Sequence, residues 1–127
     1  VLCKLVLLRV APGFFPEGAP FWDWSVGTAA DVFYPATVVL QEFLARGVMQ
    51  ENLNRVFTGK HATVLSIVVS SLVFGVLHIH YGLPFMLGAT ALLGALGFMY
   101  HRQGNIWGLC IIHYVLGEAA TFLRYII

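Results

Sequence analysis

Residues 62–78 read ATVLSIVVSSLVFGVLH, an apolar run whose only polar members are Thr and Ser until His78 closes it. A helix needs about 20 predominantly apolar residues to cross a bilayer, with about 17 as the lower limit. The stretch therefore predicts a helix in lipid. It also places an ionisable ring, His78, directly after the apolar run, and such a group is costly at bilayer depth.

The composition of the whole chain supports a membrane environment. Of its 127 residues, 59% are hydrophobic and 10% are charged, whereas soluble domains carry about 25% charged residues. The formal net charge is only +1. Because no basic patch with interleaved aromatic residues is present, we expect no nucleic-acid partner. We expect one transmembrane domain over residues 1–127, surrounded by membrane lipid.

The order of apolar and polar stretches predicts an all-α, polytopic transmembrane helical bundle. It would have four full spans and a partial N-terminal span, and small residues in GATALLGALG (88–97) would allow close helix packing. The chain opens and closes in apolar sequence, so we expect it to be a fragment of a longer protein. The predicted spans are residues 1–10 (partial), 26–49, 62–78, 85–100 and 106–127.

Three of these spans carry an ionisable side chain within apolar sequence: Glu42, His78 and His113. Glu42 and Arg46 are four residues apart, so they share a helix face. The pair could be a neutralised ion pair that only locks the packing, or part of a reactive site. Glu42 and His78 both lie 18 residues from Lys60, which puts them at one level, about 27 Å from that turn. Straight-helix arithmetic leaves His113 about 10 Å away from this level.

The motifs around these residues resemble a known family. They are Gln41-Glu42-Phe43-Leu44-Ala45-Arg46-Gly47, Phe74 four residues before His78, and His113 four residues before Gly117. In this order they resemble the CPBP family, the CAAX-protease and bacteriocin-processing group of intramembrane proteases, with a CAAX-protease-like core over about residues 32–117. The chain departs from the family pattern twice. Gln41 stands where the family has its first glutamate, and Gly117 stands where it has Asn or Asp.

The resemblance implies a glutamic-type intramembrane endopeptidase that cleaves a peptide or protein substrate. Glu42 would act as general base on a water, His78 would orient that water, and His113 would hydrogen-bond the developing oxyanion. The resemblance also implies a bacterial-type plasma (inner) membrane and no metal or cofactor. The residues expected to support the site are Arg46, Gln41 and Phe74.

Three alternatives stay open at this stage. One Glu and two His could form a zinc site. The departures at Gln41 and Gly117 would suit an inactive relative that serves as a scaffold or as a subunit of a membrane complex with partner membrane subunits. A transporter or channel would need more polar lining than the predicted spans supply.

Overall fold

The computed structural model describes residues 2–10 and 29–122, and all the regular structure in these ranges is helical. The expected all-α class is therefore confirmed for this part of the chain. The start of the predicted second span (26–28) and the end of the last (123–127) lie outside the described residues. The elements are α1 (Leu2–Val10), α2 (Ala29–Glu42), a π-helical segment (Phe43–Gln50), α3 (Glu51–Val56), α4 (Ala62–Val76), a 3₁₀ turn (Ile79–Tyr81), α5 (Leu83–Gln103) and α6 (Ile106–Phe122).

Helix α2, the π segment and α3 form one uninterrupted rod from residue 29 to residue 56. Side chains four residues apart drift by about 40° around an α-helix. A π turn takes up more residues, so it counteracts this drift. Glu42, Arg46 and Gln50 consequently stay on one inward face, and all three side chains are buried.

Glycines end the helices where the sequence predicts turns. Gly104 has φ 62° and donates its N–H to the Tyr100 carbonyl at 2.8 Å, which closes the C-terminus of α5. Gly82 has φ 98°, and Pro84 follows it in the first turn of α5. Both conformations favour glycine because a side chain would be strained there. Helices α4 and α5 can therefore fold back on each other through a short connection.

The helices pack through small residues on the inside and present apolar side chains on the outside. Helix α4 packs mainly against α5, and α2 packs against α6. At the α4–α5 contact, a Cβ on Gly75 would overlap the Thr90 side chain, so glycine is required for this approach. Outward-facing Phe33, Trp107 and Ile111 are each about two-thirds exposed. Large exposed apolar patches of this kind mark an interaction with a membrane or another protein.

One described helix, Leu83–Gln103, is long and apolar enough by length and composition to cross a membrane. It corresponds to the predicted span 85–100. Two shorter apolar helices, Ala62–Val76 and Ile106–Phe122, correspond to the predicted spans 62–78 and 106–127. The helical elements therefore follow the sequence prediction, and the number of full spans stays a prediction.

Candidate active site

Glu42 lies at the centre of the buried polar network, at the point where α2 meets the π segment. Its side chain is 0% exposed. Its Oε1 pairs with His113 Nδ1 at 2.6 Å, and its Oε2 accepts a hydrogen bond from Arg46 Nε at 3.1 Å. Both carboxylate oxygens therefore already have partners, one on its own rod and one on α6.

Arg46 is also 0% exposed, and it joins the rod to α5. Besides the Glu42 contact, Nη1 donates to Gln50 Oε1 at 3.1 Å and Nη2 donates to the Leu93 carbonyl at 2.8 Å. The amide of Gln50 then donates to the Gly97 carbonyl at 3.0 Å. A guanidinium stays charged in proteins and presents donors in a rigid fork. Arg46 therefore favours the ionised form of Glu42 while it fixes the spacing between the rod and α5.

The packing beside this network leaves no room for a side chain at Gly97. A Cβ there would lie 2.7 Å from Arg46 Nη1, 2.9 Å from Gln50 Oε1 and 3.1 Å from Ile67 Cγ2. Glycine at this position lets the backbone of α5 come within hydrogen-bonding distance of the rod. The expected close approach at GATALLGALG thus occurs at Gly97, its last residue, as well as at Thr90, which lies against Gly75 of α4.

Phe74, expected to support the site, lies in a small apolar cluster next to the network. It packs with Ala45 and Leu93, and Met49 covers the cluster from one side. Ala45 directly precedes Arg46, and the carbonyl of Leu93 accepts a hydrogen bond from that arginine. The cluster therefore helps to keep water away from the charged pair.

His113 is buried as well, but less completely than Glu42: it is 7% exposed, whereas Glu42 is fully enclosed. An ionised carboxylate can only accept hydrogen bonds, so His113 Nδ1 carries the hydrogen in its bond to Glu42. In the neutral ring the other nitrogen, Nε2, then holds a lone pair. The carboxylate fixes the tautomer and the orientation of the ring, which is how carboxylates commonly prepare a histidine to accept a proton.

His78 does not join this pair. Its Nδ1 bonds the Phe74 carbonyl at 2.8 Å, and its ring lies 6.0 Å from Phe85 and 6.4 Å from Tyr81, between ring centroids. Within residues 2–10 and 29–122, the ring makes no hydrogen bond or ion pair with Glu42 or His113. The structure thus brings together Glu42 and His113, which straight-helix arithmetic separated, and it directs the His78 Nδ1 bond to its own helix.

Two positions where the sequence departs from the family pattern differ in their surroundings. Gln41 is half-buried beside Glu42, and its side chain has no hydrogen bond to any other described residue. At Gly117, a Cβ would overlap the hydroxyl of Tyr34, which lies against the backbone of α6. A residue larger than glycine therefore cannot stand at position 117 while Tyr34 keeps its place.

Sequence reasoning missed Gln50 and Tyr34. Gln50 falls just outside the predicted second span (26–49), although it continues the four-residue spacing of Glu42 and Arg46. Tyr34 is eight residues before Glu42 and follows the same spacing, with buried Val38 between them. A check for this spacing in both directions would have found the two residues.

No group of three His, Cys, Asp or Glu side chains that could hold a metal ion occurs among the residues described. The polar groups of the site are a carboxylate, a guanidinium, a primary amide and an imidazole. These groups can position a water, accept its proton and stabilise charge.

The fold and the site define a helical protein with an apolar exterior and an enclosed carboxylate–guanidinium–imidazole network. The model of the type II CAAX prenyl endopeptidase Rce1-like family matches residues 24–117. This match covers well over half of the 127 residues and includes Glu42, Arg46, His78, His113 and Gly117, so the chain belongs to that family. No curated protein and no solved structure gives a match. The family assignment inferred from the three motifs is confirmed.

Proposed function

We propose that the protein is an intramembrane endopeptidase in which Glu42 and His113 together activate a water for attack on a peptide bond. The observation that carries the proposal is the 2.6 Å contact between the enclosed carboxylate of Glu42 and the buried imidazole of His113. Membership of a family described as CAAX prenyl endopeptidases supports peptide-bond cleavage as the reaction.

The geometry favours different catalytic roles for Glu42 and His113 from those expected from the sequence. Glu42 has no exposed surface, and both of its oxygens are engaged. His113 uses only Nδ1 in its bond to Glu42, so we assign the contact with the attacking water to His113 Nε2. In the proposed reaction, Nε2 takes the proton as the water oxygen attacks the carbonyl carbon. Glu42 stabilises the resulting imidazolium across the short hydrogen bond, as a buried carboxylate does in a triad.

The second half of the reaction returns the proton. The tetrahedral intermediate collapses, the C–N bond breaks, and His113 donates its Nε2 proton to the leaving amine. The same imidazole thus acts first as general base and then as general acid. Arg46 keeps Glu42 ionised and in place throughout. His78, whose Nδ1 donates to the Phe74 carbonyl, retains a lone pair on Nε2 with which it would hold the attacking water.

We extend the proposal to the membrane arrangement. The rod from residue 29 to residue 56, α4, α5 and α6 would form the four spans, with α1 as a partial one, in a bacterial-type plasma membrane. The apolar exterior and the spanning length of α5 support this arrangement. The enclosed site would then lie within the bundle, where a substrate reaches it from the lipid or from the interface.

The test is cleavage by the purified protein in liposomes. The probes are a peptide with a farnesylated CAAX terminus and the same peptide without the prenyl group, and the products are identified by mass spectrometry. Glu42→Gln and His113→Gln should each lower the rate by at least roughly 10²-fold, the usual minimum for loss of general acid–base catalysis. His78→Ala should also abolish cleavage. His61→Ala removes an exposed histidine outside the network and should leave the rate unchanged.

A second candidate function is that of an inactive relative that serves as a scaffold or subunit of a membrane complex. The closed hydrogen bonding around Glu42 and Arg46 favours it, because such a network can serve helix packing alone. In that case, folded wild-type protein would cleave neither probe. Cleavage by the wild type that persists unchanged in both Glu42→Gln and His113→Gln would instead contradict the assignment of the site.

A further inference from the structure

The contact between α2 and α6 has a second polar element besides the Glu42–His113 pair. Glu42 meets His113, and Tyr34, eight residues earlier on α2, meets Gly117, four residues later on α6. The two helices therefore run antiparallel. Tyr34, buried Val38 and Glu42 follow one four-residue stripe of α2, and His113 and Gly117 follow one stripe of α6.

The Tyr34 hydroxyl lies where the Cβ of a larger residue at 117 would be. Every Cα–Cβ bond of an α-helix tilts toward the helix N-terminus. The position of that Cβ is therefore displaced slightly from Gly117 toward His113. Four residues correspond to about 6 Å along the axis, so the hydroxyl beside Gly117 lies roughly one helical turn from the level of the His113 Cα.

The hydroxyl is also free to act as a donor. Its side chain is half-buried, and no other described residue is hydrogen-bonded to it. Its ring packs at a tilt against Tyr114, with 5.9 Å between centroids. The phenol is therefore held in place through its ring, with its oxygen against α6 at Gly117, on the helix face that carries His113. Glycine at 117 is what makes this position available.

We propose that the Tyr34 hydroxyl is the hydrogen-bond donor that stabilises the oxyanion in the reaction at His113. This inference rests on the proposed function. As the water oxygen bonds to the carbonyl carbon and its proton moves to His113 Nε2, the carbonyl π electrons move to oxygen. The Tyr34 O–H donates to that oxygen and releases it when the C–N bond breaks. Tyr34 thereby supplies from α2 the polar group that Gly117 lacks.

The first test removes the hydroxyl alone. Tyr34→Phe should lower kcat by roughly 10²- to 10³-fold, the usual effect of losing one oxyanion donor, with KM and the melting temperature unchanged. The matched control is Tyr114→Phe, which removes the neighbouring phenol and should leave kcat unchanged. A Tyr34→Phe protein with the wild-type kcat overturns the inference. The proposed function would still stand if Glu42→Gln abolished cleavage in the same assay.

The second test moves the donor to the other helix. Tyr34→Ala removes both the donor and the ring, which opens the space beside Gly117. Adding Gly117→Asn to this variant places an amide donor there, and it should raise kcat at least about tenfold above Tyr34→Ala alone. Gly117→Asn without the Tyr34 change should be inactive, because its side chain overlaps the phenol. If Tyr34→Phe also lowers the melting temperature, the comparison between Tyr34→Ala and the double variant Tyr34→Ala/Gly117→Asn decides. Equal kcat values for these two proteins overturn the inference.

Discussion

Arg46→Met is the substitution that most directly tests how the rod is held to α5. Methionine replaces the apolar stem of the arginine with an unbranched apolar side chain and removes the guanidinium. Glu42 Oε2, Gln50 Oε1 and the Leu93 carbonyl then each lose a donor, at contacts of 3.1, 3.1 and 2.8 Å. The carboxylate keeps only its bond to His113 and remains enclosed with an unbalanced charge.

Two effects set the size of the loss in the free energy of unfolding. Of the three hydrogen bonds, only the one to the Leu93 carbonyl joins two helices, and such bonds average about 0.6 kcal/mol in membranes. Breaking a buried ion pair costs about 3–5 kcal/mol, since one charge stays buried without its partner. The ion-pair term dominates because Glu42 cannot turn toward water. We expect Arg46→Met to lower the free energy of unfolding by about 3 kcal/mol.

The assay is reversible unfolding in mixed micelles, followed by circular dichroism. Arg55→Met is the matched control, because Arg55 is an exposed arginine on the same rod, and it should change stability by less than about 0.5 kcal/mol. Glu42→Gln removes the opposite charge, so the double variant with Arg46→Met should be more stable than additivity predicts, by at least about 1.5 kcal/mol. A loss below about 1 kcal/mol for Arg46→Met, or additive effects in the double variant, would refute the reasoning.

Three further predictions concern packing, an unpaired hydroxyl and metal. Gly97→Ala should lower the free energy of unfolding by about 1–3 kcal/mol, because the added methyl group displaces two hydrogen-bonded side chains. The control is Gly108→Ala, where the space around the glycine is open, and it should be neutral or stabilising by up to about 1 kcal/mol. Equal effects of the two substitutions in an unfolding titration would contradict the packing argument. Ser71→Ala should not destabilise, since the buried Ser71 Oγ has no hydrogen-bond partner among the described residues. In the same titration Ser70→Ala should cost about 1 kcal/mol through loss of its bond to the Ile67 carbonyl. Treatment with a zinc chelator should leave peptide cleavage unchanged, and activity that disappears and returns with added zinc would revive the metal alternative.

The helices and the main residues of the site could be predicted because their signals are local. Apolar runs mark helices, and Gly82, Pro84 and Gly104 mark where they end. The buried ion pair between Glu42 and Arg46 follows from their spacing. These features depend on the chemistry of neighbouring residues along one element, and the sequence contains all of that information.

The relations between helices could not be predicted in the same way. Counting residues from the turn placed His78 level with Glu42 and displaced His113, yet His113 is the residue bonded to the carboxylate. The count assumes straight helices of pure α geometry whose axes are aligned with one another. The chain instead contains a π segment directly after Glu42 and a 3₁₀ turn directly after His78. The four-residue spacing places Tyr34 on the face of Glu42, but it does not show that the hydroxyl lies against Gly117 of α6.

The two carboxylate oxygens of Glu42 have different partners, and we expect one contact to affect stability and the other to affect catalysis. Oε2 faces Arg46, which is enclosed and tied to α5, so changes on that side should act first on folding. Oε1 faces His113, whose other ring nitrogen makes no hydrogen bond to another described residue, so changes on that side should act first on turnover. A network that served packing alone would not require a titratable ring at this position. A variant such as His113→Gln keeps a polar partner for Oε1, since the Gln amide can donate, but removes the titratable ring. Normal stability with lost cleavage in that variant would separate catalysis from packing at a single residue.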